Sequence, residues 1–193
     1  MTATNLIVIL DRSGSMVSIE TDIEGGFNQF MLEQSELDGE CYVTLVQFDS
    51  VSIDTVFSDV QVDQVPPLEL KPRGMTPLLD AIGRTVAEFD ERFEADKTDR
   101  VMVVIITDGQ ENWSTEYTLD RIKRIIELHE KDGWKFVYLG ANVDAFAEAG
   151  SMGIAQNASM GYIADDAGVK AMYSAASAAV SDYRLGGKGD IRK

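Results

Sequence analysis

A run of five apolar residues, Leu6-Ile7-Val8-Ile9-Leu10, ends abruptly at Asp11-Arg12-Ser13-Gly14-Ser15-Met16. Successive side chains of a strand point to opposite faces, so an unbroken aliphatic run marks a strand buried on both sides. A second apolar run, from Val101, stops in the same way at Ile105-Ile106-Thr107-Asp108-Gly109. Further strands are expected over Tyr42 to Phe48, Val51 to Phe57, Lys135 to Leu139 and Met160 to Ala164, with the first two over Asn5 to Leu10 and Val101 to Thr107. Helical periodicities separate them. Ile19, Ile23, Phe27 and Phe30 mark one helix; Leu79, Ile82, Val86, Phe89 and Phe93 mark a second. Leu119, Ile122, Ile125 and Ile126 mark a third, Val143, Phe146 and Ala147 a short fourth, and Val169, Met172, Tyr173, Ala176 and Val180 the last. This alternation predicts an α/β fold: a doubly wound, mainly parallel, six-stranded sheet with helices on both faces. Only Asp49-Ser50 separates the second and third strands, too short a link for a parallel crossover, so the third is expected as an antiparallel edge.

A chain of 193 residues is long enough for one sizeable core and short for two, which predicts one domain over residues 1–185 and a flexible tail over 186–193. The stretch from Ser58 to Arg73, with Pro66, Pro67 and Pro72, reads as a surface loop leading to Gly74-Met75-Thr76. A formal charge of −16 argues against nucleic acid and anionic membrane, whose binding draws on clustered Lys and Arg. The single cysteine, Cys41, excludes an internal disulfide and reads as a small buried hydrophobe. With no basic leader region and no span-length apolar stretch in view, the expectation is a cytoplasmic protein. The scattered methionines read as core filling, and His129, the only histidine, as a helix-end or surface residue.

The strand ends carry the chemistry. One carboxylate and two hydroxyls, with Gly14 letting the backbone curl between them, offer oxygen ligands to a hard cation. Asp108 ends the other apolar strand, and Thr76 opens the second helix. In an open parallel sheet, ligands bind beyond the carboxyl ends of the strands where strand order reverses. Each residue also has a bland reading. Thr76-Pro77 alone is an N-cap with proline at the first helical position, and Ser13, Ser15, Asp11 or Asp108 alone are turn formers. It is the combination that points to metal: an oxygen-only set selecting Mg²⁺, Mn²⁺ or Ca²⁺ over zinc or copper, with Mg²⁺ the default on cellular abundance.

Asp-x-Ser-Gly-Ser after the first strand, a helix-heading threonine and Thr-Asp-Gly after a central strand, in that order, resemble the von Willebrand factor type A domains and their metal-ion-dependent adhesion site. The resemblance runs from about Thr4 to about Tyr183. It implies a metal set of Asp11, Ser13, Ser15, Thr76 and Asp108, with the three hydroxyls touching the ion and the two carboxylates acting largely through waters. An ion so held lacks a protein carboxylate and can take one from a partner, making the domain a protein-interaction module rather than an enzyme. Intracellular bacterial and phage proteins of this kind act as adaptors, some beside AAA-type ATPases or in stress-response systems. Arg12, Arg73, Glu111 and Asn112 are the expected partner-binding rim, Trp113 being either a partner contact or folded back on the sheet. Two alternatives stand beside this reading. One is a Mg²⁺-dependent hydrolase or phosphotransferase, disfavoured because Ser13 stands where a dehalogenase-like pattern needs a second carboxylate; the other is a scaffold in which the metal is only structural.

Overall fold

The computed structural model describes residues 2–93, 100–141 and 144–191. Its elements, in chain order, are β1 (Thr4–Asp11), α1 (Glu20–Ser35) after a 3₁₀ turn over Gly14–Ile19, β2 (Cys41–Phe48), β3 (Ile53–Gln61) and α2 (Leu78–Phe93). There follow β4 (Arg100–Thr107), α3 (Leu119–Lys131), β5 (Lys135–Gly140), α4 (Ala145–Ser151), β6 (Ser159–Gly161) and α5 (Asp166–Arg184). They build one six-stranded sheet in the order β3-β2-β1-β4-β5-β6, parallel throughout except for the antiparallel β2–β3 pair at one edge. The chain starts in the middle, winds to one edge, then returns to the other side of β1. The reversal of strand order falls between β1 and β4, whose pairing runs from Thr4–Arg100 to Leu10–Ile106.

The all-apolar strands are explained by two cores. Leu6, Val8 and Leu10 point into one, closed by α1 and α5; Ile7 and Ile9 point into the other, closed by α2, α3 and α4. Gly26 lets α1 and α5 approach closely, because a Cβ there would lie 2.2 Å from the Tyr173 ring.

Several expectations are corrected. The β2–β3 link is longer than two residues, because the buried Asp49 carboxylate draws it into a turn: its Oδ1 accepts from the amides of Val51 (2.6 Å) and Ser52 (3.1 Å), and β3 begins only at Ile53. The segment from Ser58 is no simple surface loop. β3 continues to Gln61, and Leu68 and Leu70 are buried, their amides donating to Asn28 Oδ1 (2.9 Å) and Glu24 Oε1 (2.8 Å) of α1. β6 has three residues, since Asp165 caps α5 by accepting from Gly168 N and Ile163 stays exposed. The face of α4 is Ala145 and Ala149, with Ala147 exposed; Val143 and the Phe93 side chain lie outside the described residues. Met75 and Leu119 are exposed, whereas His129 is buried against Trp134 and bonded to Asp90 and to the Ile125 carbonyl. Past Leu185, Lys135 pairs with Asp190 at 2.7 Å and Ile191 N donates to Asn157 O, contacts that the low apolar content of this stretch concealed; residues 192–193 lie outside the described residues. Among the described residues no helix is long and apolar enough to cross a membrane.

Candidate metal centre

The reversal point brings three loops together. The β1 strand delivers Asp11 to its carboxyl end, and β4, its neighbour, delivers Thr107 and Asp108. The loop before α2 is laced onto the first by backbone bonds: Arg73 N donates to Arg12 O (2.9 Å) and Gly14 N to Gly74 O (3.1 Å). Gly74 has φ +70, a conformation that favours glycine, and a Cβ there would sit 2.5 Å from Ser50 Oγ.

The side chains then form a connected chain of oxygens. Asp11 is fully buried; its Oδ1 accepts from Ser13 N (2.6 Å) and its Oδ2 from Thr107 Oγ1 (2.6 Å). Ser13 Oγ and Ser15 Oγ are 3.0 Å apart, and Ser15 Oγ donates to Asp108 Oδ1 at 2.6 Å. Thr76 joins them across Gly109. A Cβ on that glycine would lie 3.2 Å from Thr76 Oγ1, 3.5 Å from Ser15 Oγ and 3.9 Å from Asp11 Oδ2, so the missing side chain of the third loop leaves a cradle bordered by three oxygens from the other two.

Electrostatics sharpen the picture. Burial pushes the Asp11 carboxyl up to about 6, despite the opposing hydrogen bonds from Thr107 and Ser13, and the Asp108 charge adds to the rise. Burial also raises Asp108, against the Ser15 hydrogen bond. Two acids that both resist ionisation, with no Lys or Arg among the described residues bonded to either, suit a cation. Among the described residues no group of three His, Cys, Asp or Glu side chains could hold one, so hydroxyls must supply the remaining donors. The residues present fit that requirement.

The hydroxyls are not spent on capping. Ser13 precedes the 3₁₀ turn without a side-chain cap bond. At the start of α2, the Leu79 amide donates to Glu111 Oε2 (2.9 Å) and the Asp80 amide to Ser114 Oγ (3.0 Å), partners supplied by the loop after β4 rather than by Thr76. Glu111 therefore belongs to the scaffold, its Oε1 also accepting from Trp113 N and Ser114 N. Asn112 clamps Thr76 from both sides: Thr76 N donates to its Oδ1 (2.9 Å), and its own amide donates to Thr76 O (3.2 Å).

The two arginines meet on Asp49. Arg12 Nε and Arg73 Nε donate to Asp49 Oδ2 at 2.8 and 2.9 Å, and Arg12 Nη2 also reaches Asp54 at 2.8 Å. Arg12 is nearly buried in this network, while Arg73 is half exposed. Trp113 does not fold back on the sheet and stands in solvent. Sequence reasoning assigned no role to Thr107, Gly109 or Asp49. Thr107 and Gly109 flank Asp108 in the motif itself, and Asp49 carried the signal of an acid in a tight strand-to-strand link.

No family model and no curated protein matches the sequence. Solved structures do resemble the fold. A von Willebrand factor type A protein from Catenulispora acidiphila superposes with a TM-score of 0.65 at 15% identity, over 93% of this chain and 43% of that one. Proximal thread matrix protein 1 from the mussel byssus, in a form described as having a zinc-occupied MIDAS motif, gives 0.63 at 15% identity over 93% and 46%. The vWF domain of the type V pilus tip protein Mfa5 from Porphyromonas gingivalis gives 0.64 at 8% identity over 93% and 95%. The chain thus spans under half the length of the first two.

Proposed function

We propose that this chain, whose architecture is that of the von Willebrand factor type A domain, is a protein-interaction module that captures a partner's Asp or Glu side chain through a divalent cation at the loop cluster. The observation that carries the reading is the convergence of Thr76 Oγ1, Ser15 Oγ and Asp11 Oδ2 on the Gly109 cradle, at a helix start already capped by other residues. Ser13, Ser15 and Thr76 are assigned as neutral oxygen donors. Asp11, both of whose oxygens already accept short hydrogen bonds, is assigned with Asp108 to the outer shell. A cation held there, Mg²⁺ first and Mn²⁺ or Ca²⁺ as substitutes, would supply a Lewis-acid position lacking one anionic ligand. Asn112 holds the Thr76 backbone in place, and Asp49 with its two arginines fastens the loop before it. A cytoplasmic setting belongs to the same proposal, as does an AAA-type ATPase or a stress-response complex as the assembly served, the latter supported by the sequence resemblance alone.

Against a hydrolytic role stands the position of the only histidine. His129 and its partner Asp90 lie next to Trp134, just before the amino end of β5, whereas the centre is at the carboxyl end of the sheet. Isothermal titration with Mg²⁺ and Mn²⁺ tests the proposal. One site in the wild type, weakened at least tenfold in Thr76→Ala with the fold intact by circular dichroism, is the expected result. Uptake that is absent in the wild type, or equal in both proteins, would overturn it.

A further inference from the structure

Three large apolar side chains stand in solvent beside the centre. Val51 is 69% exposed, Met75 42% and Trp113 54%. They come from three different loops yet lie close together: Met75 N donates to Ser50 Oγ at 2.9 Å, and Val51 and Trp113 both line an open cleft of about 150 Å³, together with Pro77 and Ile53 and with the polar Asp49, Ser52, Asp80 and Thr115. The Arg84–Glu116 ion pair also lines it. Pro77 adjoins Thr76, so the cleft begins one residue from the candidate centre. Val17, 61% exposed, follows Ser15 by two residues.

These side chains are presented on fixed backbone. The Val51 amide donates to Asp49 Oδ1 (2.6 Å), the Met75 amide to Ser50 Oγ (2.9 Å) and the Trp113 amide to Glu111 Oε1 (2.8 Å). Contiguous exposed apolar surface marks interaction sites, and tryptophan on a pre-organised loop is the residue type that most often anchors a partner.

The geometry points to a partner of defined chemistry: an extended segment in which one Asp or Glu is followed or preceded, within one or two positions, by an aromatic or large aliphatic residue. This rests on the cation reading of the centre above. The acid would complete the centre while its apolar neighbour packs on the exposed Val51 and Trp113 side chains. Thr76 and Pro77 are consecutive, about 3.8 Å apart between Cα atoms, so an extended segment rising about 3.3 Å per residue needs only one or two positions to pass from the centre to the cleft. The formal charge of −16 disfavours a second acid nearby, so the flanks of the segment are apolar or basic.

A phage-displayed random dodecapeptide library, selected on the immobilised full chain in Mg²⁺ and in EDTA, tests this. Two variants run in parallel: Trp113→Ala, and the triple Val51→Ser, Met75→Ser, Trp113→Ala. All three positions are exposed, so both variants should fold and keep any Mg²⁺-induced thermal shift of the wild type. The expected result is Mg²⁺-dependent enrichment of peptides pairing an acid with a large apolar residue, the apolar preference vanishing on the triple variant. A synthetic peptide from the wild-type selection should bind the triple variant roughly tenfold or more weakly. Mg²⁺-dependent enrichment of acids without apolar neighbours would overturn the inference and leave the cation reading standing, as would the same apolar preference on the triple variant. No Mg²⁺-dependent enrichment of acids would overturn both.

Discussion

Replacing Asp11 with asparagine separates what the carboxylate costs the fold from what it does for a cation. Its folded-state pKa of about 6, against an ordinary value of 3.8, corresponds to about 3 kcal/mol of resistance to ionisation. The sign follows from proton linkage. Between pH ~4 and 6 the folded state holds the proton more tightly than the unfolded one, so without metal this group's contribution to stability falls as pH rises through that window and stays lost above it. Asparagine keeps the shape. Its Oδ1 can still accept from Ser13 N, and its amide can donate to Thr107 Oγ1 once that hydroxyl turns to the Gly109 carbonyl, 3.0 Å away. At pH 7.5 in EDTA the variant should therefore be more stable than the wild type by about 2–3 kcal/mol, a rise of roughly 5–10 °C in melting temperature for a chain of this size. Excess Mg²⁺ should reverse the order. At a thousand times its dissociation constant a cation adds about 4.1 kcal/mol to the wild type, more than the gap in EDTA, and the variant should gain little. Thermal melts in EDTA and in Mg²⁺ measure both terms. A variant less stable than the wild type in EDTA would refute the reasoning, because it would mean that the ionised carboxylate is already satisfied without metal.

Gly109→Ala should fill the cradle, leaving a folded protein whose Mg²⁺ affinity by titration calorimetry falls at least tenfold, since its methyl would press within 3.2 Å of Thr76 Oγ1. Glu111→Ala strips the Leu79, Trp113 and Ser114 amides of their acceptor and should cost about 2 kcal/mol in urea melts. Asp49→Asn breaks the anchor of Arg12 and Arg73 and should cost about 3 kcal/mol at pH 7. Burial alone would raise the Asp49 carboxyl, but the Arg73 hydrogen bond, the Val51 and Ser52 amides and the Arg12 charge together hold it below its usual value of 3.8. That stabilisation is therefore present above pH ~4 and lost as pH falls through the depressed value, so the gap between wild type and Asp49→Asn should close in acid melts.

What could be read from sequence follows the range of the interactions involved. The central strands were legible because β1 and β4 are apolar on both faces, and α2 and α5 because their buried residues recur at three and four. The antiparallel edge followed from a link too short to cross over. The five candidate oxygen donors stand out as a set because each lies near a strand end or a helix start. Local patterns could not reveal partners distant along the chain. Arg12 and Arg73 read as free rim charges, yet their common partner Asp49 lies 37 and 24 residues away. Glu111 read as a rim acid because nothing nearby in sequence announces that it caps a helix 32 residues earlier. Leu68 and Leu70 were hidden by the prolines around them, though their amides are tied to α1 more than 39 residues back.

The assembly of the candidate centre from residues 11–15, 76 and 108–109 has a kinetic corollary. None of the three segments can gather the oxygens alone, and β1 meets β4 only after nearly a hundred intervening residues have found their places. An ion would then have nothing to hold in a nascent or half-collapsed chain. It would arrive last, leaving the refolding rate nearly untouched while lengthening the lifetime of the finished molecule.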